Sequence, residues 1–236
     1  MHALNTQLDI ILPEHLGIIP DGNRRWAKLK GVTKLEAHKI GYENLRNIAI
    51  EAFRRGIKYM SAYVFSTENW KRDKEEVDYL MDLALWIANR DIEKLNKENI
   101  RVRFIGSRDG LNKKLIKAIE NAEDKTKNNS AGELLLCFNY GGRREIVDAC
   151  RKLIASKVEP KEIDDKKIEQ YLYSNDVPDV DCLVRTSGEK RISNFMLWKS
   201  AYAELIFVDE YWPDFNKAKL EEVINEFSNR KRRFGA

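Results

Sequence analysis

The chain has 236 residues, 43% of them apolar and 34% charged, a balance that excludes a disordered polymer and suits one globular domain. The 42 Lys and Arg against 38 Asp and Glu leave a net charge of +4, too even for a nucleic-acid binder built on a basic strip, yet compatible with an anionic ligand. Three widely spaced cysteines, Cys137, Cys150 and Cys182, contain no CxxC pair; a disulfide framework or a cysteine metal cage is not expected, and a reducing cytoplasm is the expected home. Cys137 and Cys182 lie in apolar runs and read as core residues.

The opening MHALNTQLDIIL lacks a basic segment followed by a long apolar stretch, so no secretory signal is expected. A first strand, LGIIP (16–20), precedes a helical stretch at 35–55. KYMSAYVF (58–65) is the second strand and 74–96 a long helix. RVRFIG (101–106) leads to a helix at 111–127, and ELLLCFN (133–139) to one at 143–156. A helical stretch at 164–173 precedes the strands DCLVRT (181–186) and ELIFV (204–208), and a helix at 216–231 closes the order. The notable apolar run LALWIA (83–88) is far short of the ~20 residues that span a bilayer. Strands alternating with helices predict an α/β fold: a single domain over 1–236, with a mainly parallel central sheet of about six strands flanked by helices. Uniformly apolar strands such as LLLCF (134–138) suit burial on both faces.

Ligands of such sheets bind outside the carboxyl ends of the strands. After the first strand, Pro20-Asp21-Gly22 turns the chain, and the amides of residues 22–25 can converge beside a helix N-terminus, with Arg24 and Arg25 adding cations. A carboxylate among phosphate-binding groups needs a cation between them, which suggests Mg2+ bridging Asp21 and a diphosphate. A turn with Asp21 as helix cap is the plainer alternative. After the second strand, Ser66, Asn69 and Arg72 can bond phosphate and Trp70 offers an apolar face; a helix start is the alternative. Gly141-Gly142-Arg143 marks a strand-to-helix turn, more readily a tight turn than a phosphate loop. After the fifth strand, Arg185, Ser187, Arg191 and Ser193, with Gly188, can clamp a second diphosphate. The basic tail RKRRFG (230–235) reads first as a solvated run.

The segments HLGIIPDGNRRWAK, EAHKIG, AYVFSTENWKR, RFIG, NYGGRREIVDA and DCLVRTSGEKRISNFMLWKSAYAELIFVDEYWPDF, spread over residues 15–215, resemble the cis-prenyltransferases, the undecaprenyl and dehydrodolichyl diphosphate synthases. The resemblance implies magnesium-dependent condensation of isopentenyl diphosphate with an allylic prenyl diphosphate. It implies that Asp21 holds Mg2+, with Glu204 as a second acidic residue of the metal region. Asn23, Arg25 and the backbone near Gly22 are then expected to hold the allylic diphosphate with Arg72 supporting it, Arg24, Trp26, Lys34 and Ser66 are expected among the substrate-binding residues, and Asn69, Trp70 and His38 are expected near the reacting carbons. Arg185, Arg191 and Ser193 are expected on isopentenyl diphosphate. Arg233 and Gly235 are expected to complete a partner subunit's site, making a homodimer. RTSG (185–188) and IIPDGNRR (18–25) look more like archaeal or eukaryotic members; Lys34 and Lys190 stand where arginine and histidine are common, Arg24 where glycine is, and Asp73 where proline is.

The proton lost in condensation could pass to His38 or to the departing diphosphate. A long hydrocarbon product implies an apolar tunnel and peripheral membrane contact on release. Its best wall is helix 74–96, whose stripe Val77, Leu80, Met81, Ala84, Ala88, Ile92 and Leu95 is joined by Tyr79, Leu83 and Trp86 on another face. A non-catalytic supporting subunit is the alternative, disfavoured by the presence of Asp21 and Asn69.

Overall fold

The computed structural model describes residues 10–230. Its strands are β1 (His15–Ile19), β2 (Tyr59–Ser66), β3 (Ile100–Ile105), β4 (Gly132–Tyr140), β5 (Cys182–Arg185) and β6 (Glu204–Phe207). They form one parallel sheet in the order β3-β4-β2-β1-β5-β6. All five residues of β1 are buried, as are all of β4 after Gly132, which is what strands covered on both faces require. Along β4 the side chains alternate between two cores: Leu134, Leu136 and Phe138 in the larger, Leu135, Cys137 and Tyr140 in the smaller.

The helices are α1 (Asn23–Lys30), α2 (Lys34–Arg54), α3 (Lys74–Trp86), α4 (Ile92–Lys97), α5 (Lys113–Thr126), α6 (Gly142–Ala155), α7 (Asp165–Glu169) and α8 (Lys217–Asn229). Side-chain caps set several starts: Thr33 and Glu36 form a reciprocal capping box on α2, and Asn112 and Asn216 cap α5 and α8. Expected element order and fold are observed, with three differences. The helical runs predicted from sequence omit α1, whose eight residues bury only Ala27 and so lack an apolar stripe. The stretch 164–173 is helical only as α7 and continues as turns. The long helix 74–96 is interrupted between α3 and α4 by a π-helical turn, Ile87–Asp91. Asp91 in that turn is buried and accepts hydrogen bonds from Tyr42 Oη (2.9 Å) and Arg46 Nη1 (2.7 Å) of α2.

From β1 the chain crosses to β2 on one side; from β4 it returns to β5 on the other side of β1. Adjacent connections therefore diverge at β1 and β5, and the crevice beyond the carboxyl ends of these two strands is the ligand position this topology favours. Arg233, Gly235 and the expected helix end at Lys231 lie outside the described residues.

Candidate active site

The turn after β1 aims Asp21 into that crevice. Gly22 has φ 106, and a Cβ there would stand 2.7 Å from Tyr211 Cδ1 and 3.0 Å from Ser187 Cβ, so only glycine suits both the backbone and the space. Thr186 Oγ1 donates to the Asp21 carbonyl (2.7 Å), and so does the Trp212 amide (3.0 Å), fixing the turn. From β5 the buried Arg185 donates Nη2 to Asp21 Oδ2 (2.7 Å) and Nη1 to Ser193 Oγ (2.6 Å) and the Arg191 carbonyl (2.5 Å). Arg25 reaches Asp21 Oδ1 at 3.4 Å and donates to Ser187 Oγ at 2.6 Å. Burial opposes ionisation of Asp21, but the hydrogen bond and charge of Arg185 and the charge of Arg25 outweigh it and hold the carboxyl below its usual range.

These groups stand at the mouth of a cavity of about 580 Å³. Asp21, Asn23, His38, Ser66, Glu68, Asn69, Arg72, Arg185, Ser193 and Asn194 give it polar lining, and Leu45, Val64, Leu80, Leu83, Ala84, Ile87, Phe104, Leu136 and Phe138 give it apolar lining. The helix wall is the face Leu80-Leu83-Ala84-Ile87, which takes residues from both of the stripes expected on helix 74–96 and leaves Ala88 in the packed core. Trp86 instead meets Tyr42 edge to face at 6.2 Å.

One residue missed in the sequence organises the mouth. Glu76, buried in the first turn of α3, accepts from Arg72 Nη1 (2.8 Å) and His38 Nε2 (3.2 Å), while Arg24 Nε approaches at 3.7 Å. Burial disfavours its charge, yet Arg72, His38 and Arg24 keep it a carboxylate below the usual range. Burial lowers the His38 pKa more than Glu76 raises it. A neutral His38 whose Nε2–H faces a carboxylate has Nδ1 as its basic nitrogen. A glutamate near a helix start reads in sequence as a partner of the helix dipole, and nothing in the spacing signals its burial.

The other expected residues are placed differently. Lys34 is exposed beside Asp73 (3.8 Å); Trp26 is half-buried beneath Lys30. Trp70 donates Nε1 to Asn139 (2.8 Å) and does not line the cavity. The Arg191 side chain pairs with Glu189 at 2.6 Å, contributing its carbonyl rather than its guanidinium to the Arg185 cluster. Glu204 opens β6 at the opposite edge of the sheet and pairs with Arg230 (3.0 Å), so a single chain does not bring it to Asp21.

Asn23 Oδ1, Glu76 Oε2 and Arg185 Nε are buried without a hydrogen-bond partner. Trp26, Asp91, Arg108 and Ser174 also keep a buried atom without a hydrogen-bond partner, but the three around this mouth are grouped beside one cavity, which suits a polar ligand. Among the described residues no group of three or more His, Cys, Asp or Glu could hold a metal ion. A cation held by Asp21 and a ligand's own phosphate oxygens fits this donor set, since Mg2+ is commonly bound through one or two carboxylates and substrate phosphates. No helix among the described residues is long and apolar enough to cross a membrane.

Residues 19–235 match the prenyltransferase family profile described as "Putative undecaprenyl diphosphate synthase". An isoprenyl transferase of Thermotoga maritima is 47% identical over 226 residues, 95% of this chain and 97% of the relative. Isoprenyl transferase 1 of Streptomyces coelicolor is 42% identical, covering 97% of this chain and 84% of the relative. Among solved structures, lavandulyl diphosphate synthase from Lavandula x intermedia, in complex with dimethylallyl diphosphate, superposes with a TM-score of 0.91 at 36% identity, covering 95% of this chain and 99% of that one. A probable undecaprenyl diphosphate synthase from Campylobacter jejuni gives a TM-score of 0.81 at 33% identity with the same coverage.

Proposed function

The chain belongs to the undecaprenyl diphosphate synthase family of prenyltransferases, and from that premise we propose that it is a catalytic cis-prenyltransferase, condensing isopentenyl diphosphate with an allylic prenyl diphosphate in the presence of Mg2+. The observation that carries this reading is the two-sided cavity: cations, hydroxyls and one aspartate at its mouth, and helix and strand apolar side chains beyond. Such a space suits an amphiphile with a diphosphate head and a hydrocarbon tail, and it is the tunnel in which a growing chain would lie.

Two diphosphates divide naturally between two groups of residues. Asn23, the amides after Gly22, Arg25, Ser66, Asn69 and Arg72 would hold the allylic diphosphate. Arg185, Ser193 and the loop carrying Arg191 would hold isopentenyl diphosphate. Asp21 would hold Mg2+, which when bound neutralises charge on the diphosphates. The Arg72 and Arg25 guanidinium groups stabilise the charge that grows on the leaving diphosphate as its bond to the allylic carbon breaks. Placing the double bond of isopentenyl diphosphate against that carbon is the task of the Arg185 cluster. His38, with Nδ1 as its basic nitrogen, is a candidate for the proton then released, alongside the diphosphate itself.

A homodimer fits this reading. Edge strand β6 leaves Leu205 37% exposed, and the nearby Tyr202 is 72% exposed. A second copy on that edge is the route by which Glu204, Arg233 and Gly235 would serve a site. Peripheral membrane contact, in an otherwise cytoplasmic protein, has support in the α1–α2 hairpin. Residues 23–41 hold six Lys or Arg and one Glu, and Leu29 is 69% exposed. Co-sedimentation with anionic and zwitterionic vesicles tests that contact.

The deciding experiment incubates the purified chain with labelled isopentenyl diphosphate, primers of several lengths and Mg2+, then sizes the products and assigns double-bond geometry by NMR. Chain growth with new cis bonds is expected. A chain that incorporates no label alone, but does so with a partner subunit, is a supporting subunit.

A further inference from the structure

The motif Gly141-Gly142 and the loop after β5 meet at a residue with no assigned role, Asn194. It lines the cavity next to Ser193 and adopts φ 65, a left-handed conformation that asparagine tolerates better than most residues. Ser187, Ser193 and Met196 also have positive φ, so this loop is held in shape by its contacts rather than by local preference.

The contacts of Asn194 run to two other strand ends. Its carbonyl accepts from the Gly142 amide (2.7 Å) and its Oδ1 from the Arg143 amide (2.8 Å), both following β4. Its Nδ2 donates to Glu68 Oε1 (2.9 Å) in the 3-10 turn Thr67–Lys71 that follows β2. A Cβ at Gly141 would stand 2.6 Å from Thr67 Oγ1 and 2.9 Å from Asn194 Nδ2. The glycine is there so that three loops can close on one another, which accounts for the motif without a phosphate.

We infer that Asn194 is a positioning residue, latching the loop that carries Ser193 and Arg191 to the turn that carries Ser66, Asn69 and Arg72. The inference rests on the prenyl-transfer reading, in which those two groups hold different substrates. Condensation requires the two to be held within reacting distance, and the Asn194–Glu68 hydrogen bond joins their loops directly.

The test is a polarity swap. Asn194→Asp keeps the shape and the acceptor for Arg143 but sets a carboxylate oxygen against Glu68. The KM for isopentenyl diphosphate should rise roughly tenfold or more, the size expected for losing a charge-assisted hydrogen bond, with the primer KM changing less. Glu68→Gln alone, which still presents an acceptor, should be mild. Combined with Asn194→Asp it supplies an amide donor to the new carboxylate, and KM should return to within about threefold of wild type. Should Asn194→Asp fail to fold, Asn194→Gly, which suits the positive φ, should reproduce the selective KM rise. An active wild type with Asn194→Asp unchanged, or with equal loss for both substrates and no rescue, overturns the latch while leaving the function intact. An inactive wild type overturns the prenyl-transfer reading and the latch with it.

Discussion

The two edges of the sheet are built to opposite standards. At the amino edge, the buried polar groups around the start of β1 are satisfied. The His15 ring is bonded through Nδ1 to the Pro178 carbonyl (2.8 Å) and through Nε2 to Ser61 Oγ (2.7 Å), and the buried Lys199 donates to the Val177 carbonyl (2.6 Å). At the carboxyl edge, Asn23, Glu76 and Arg185 keep buried atoms without hydrogen-bond partners, and four residues between 187 and 196 other than glycine have positive φ. Both edges bury charge and polarity, so burial alone does not distinguish them. Buried atoms without hydrogen-bond partners also occur at Trp26, Asp91, Arg108 and Ser174, so what distinguishes the carboxyl edge is three of them grouped with a strained loop around one cavity, which on the prenyl-transfer reading is the place of a ligand.

That contrast predicts where substitutions separate activity from stability. The largest effect is expected at Asp21→Asn. Turnover should fall by about 10²–10³-fold or more, since a charge-stabilising group is lost. The amide still accepts from Arg185, so the melting temperature should move by no more than the ~2–4 °C that accompanies 1 kcal/mol in a chain of this size. A large drop in melting temperature with residual turnover would make Asp21 a structural residue like those of the amino edge.

His15 should show the converse. Burial pushes its pKa down from 6.5 to about 4, with the Pro178 carbonyl opposing and Lys199 assisting. The folded state holds it neutral while the unfolded state takes up a proton below pH 6.5. Its contribution is therefore whole above pH 6.5 and is lost as pH falls toward about 4. At 1.36 kcal/mol per unit, the loss reaches about 3 kcal/mol. Urea unfolding at stepped pH should show this slope, and His15→Gln should flatten it while leaving kcat at neutral pH near wild type. A slope unchanged by that substitution would assign the acid sensitivity to other groups.

Within one helix the same contrast can be sharpened. Ala84 and Ala88, one turn apart, are equally buried in the core, but of the two only Ala84 also lines the cavity. Ala84→Phe should shorten the product with little change in stability. Ala88→Phe should cost about 1–3 kcal/mol by overpacking and leave product length unchanged. Equal shortening by both would mean that the helix turns differently when substrate is bound.

Much of this was legible in the sequence. Apolar runs separated by helical periods place all six strands to within a residue or two, and the strand-end rule leads directly to Asp21, Asn69, Arg185 and Ser193. Residues whose role depends on burial or on another loop were not legible: Glu76 looks like a surface glutamate at a helix start, and Asn194 like part of a polar loop. The position of Glu204 could have been read more closely. It opens its strand whereas Asp21 follows one, and in a parallel sheet those are opposite edges, so the two cannot share an ion within one chain.

The most direct measurement is amide hydrogen exchange with and without an allylic prenyl diphosphate plus Mg2+, omitting isopentenyl diphosphate so that no reaction occurs. Protection should rise at residues 20–25 and 66–72 and along α3 beside the cavity, while the amino edge around His15 and Asp181 stays as it was. Protection that appears at the amino edge, or none at the carboxyl edge, would contradict the assignment of the prenyl-transfer site to this cavity.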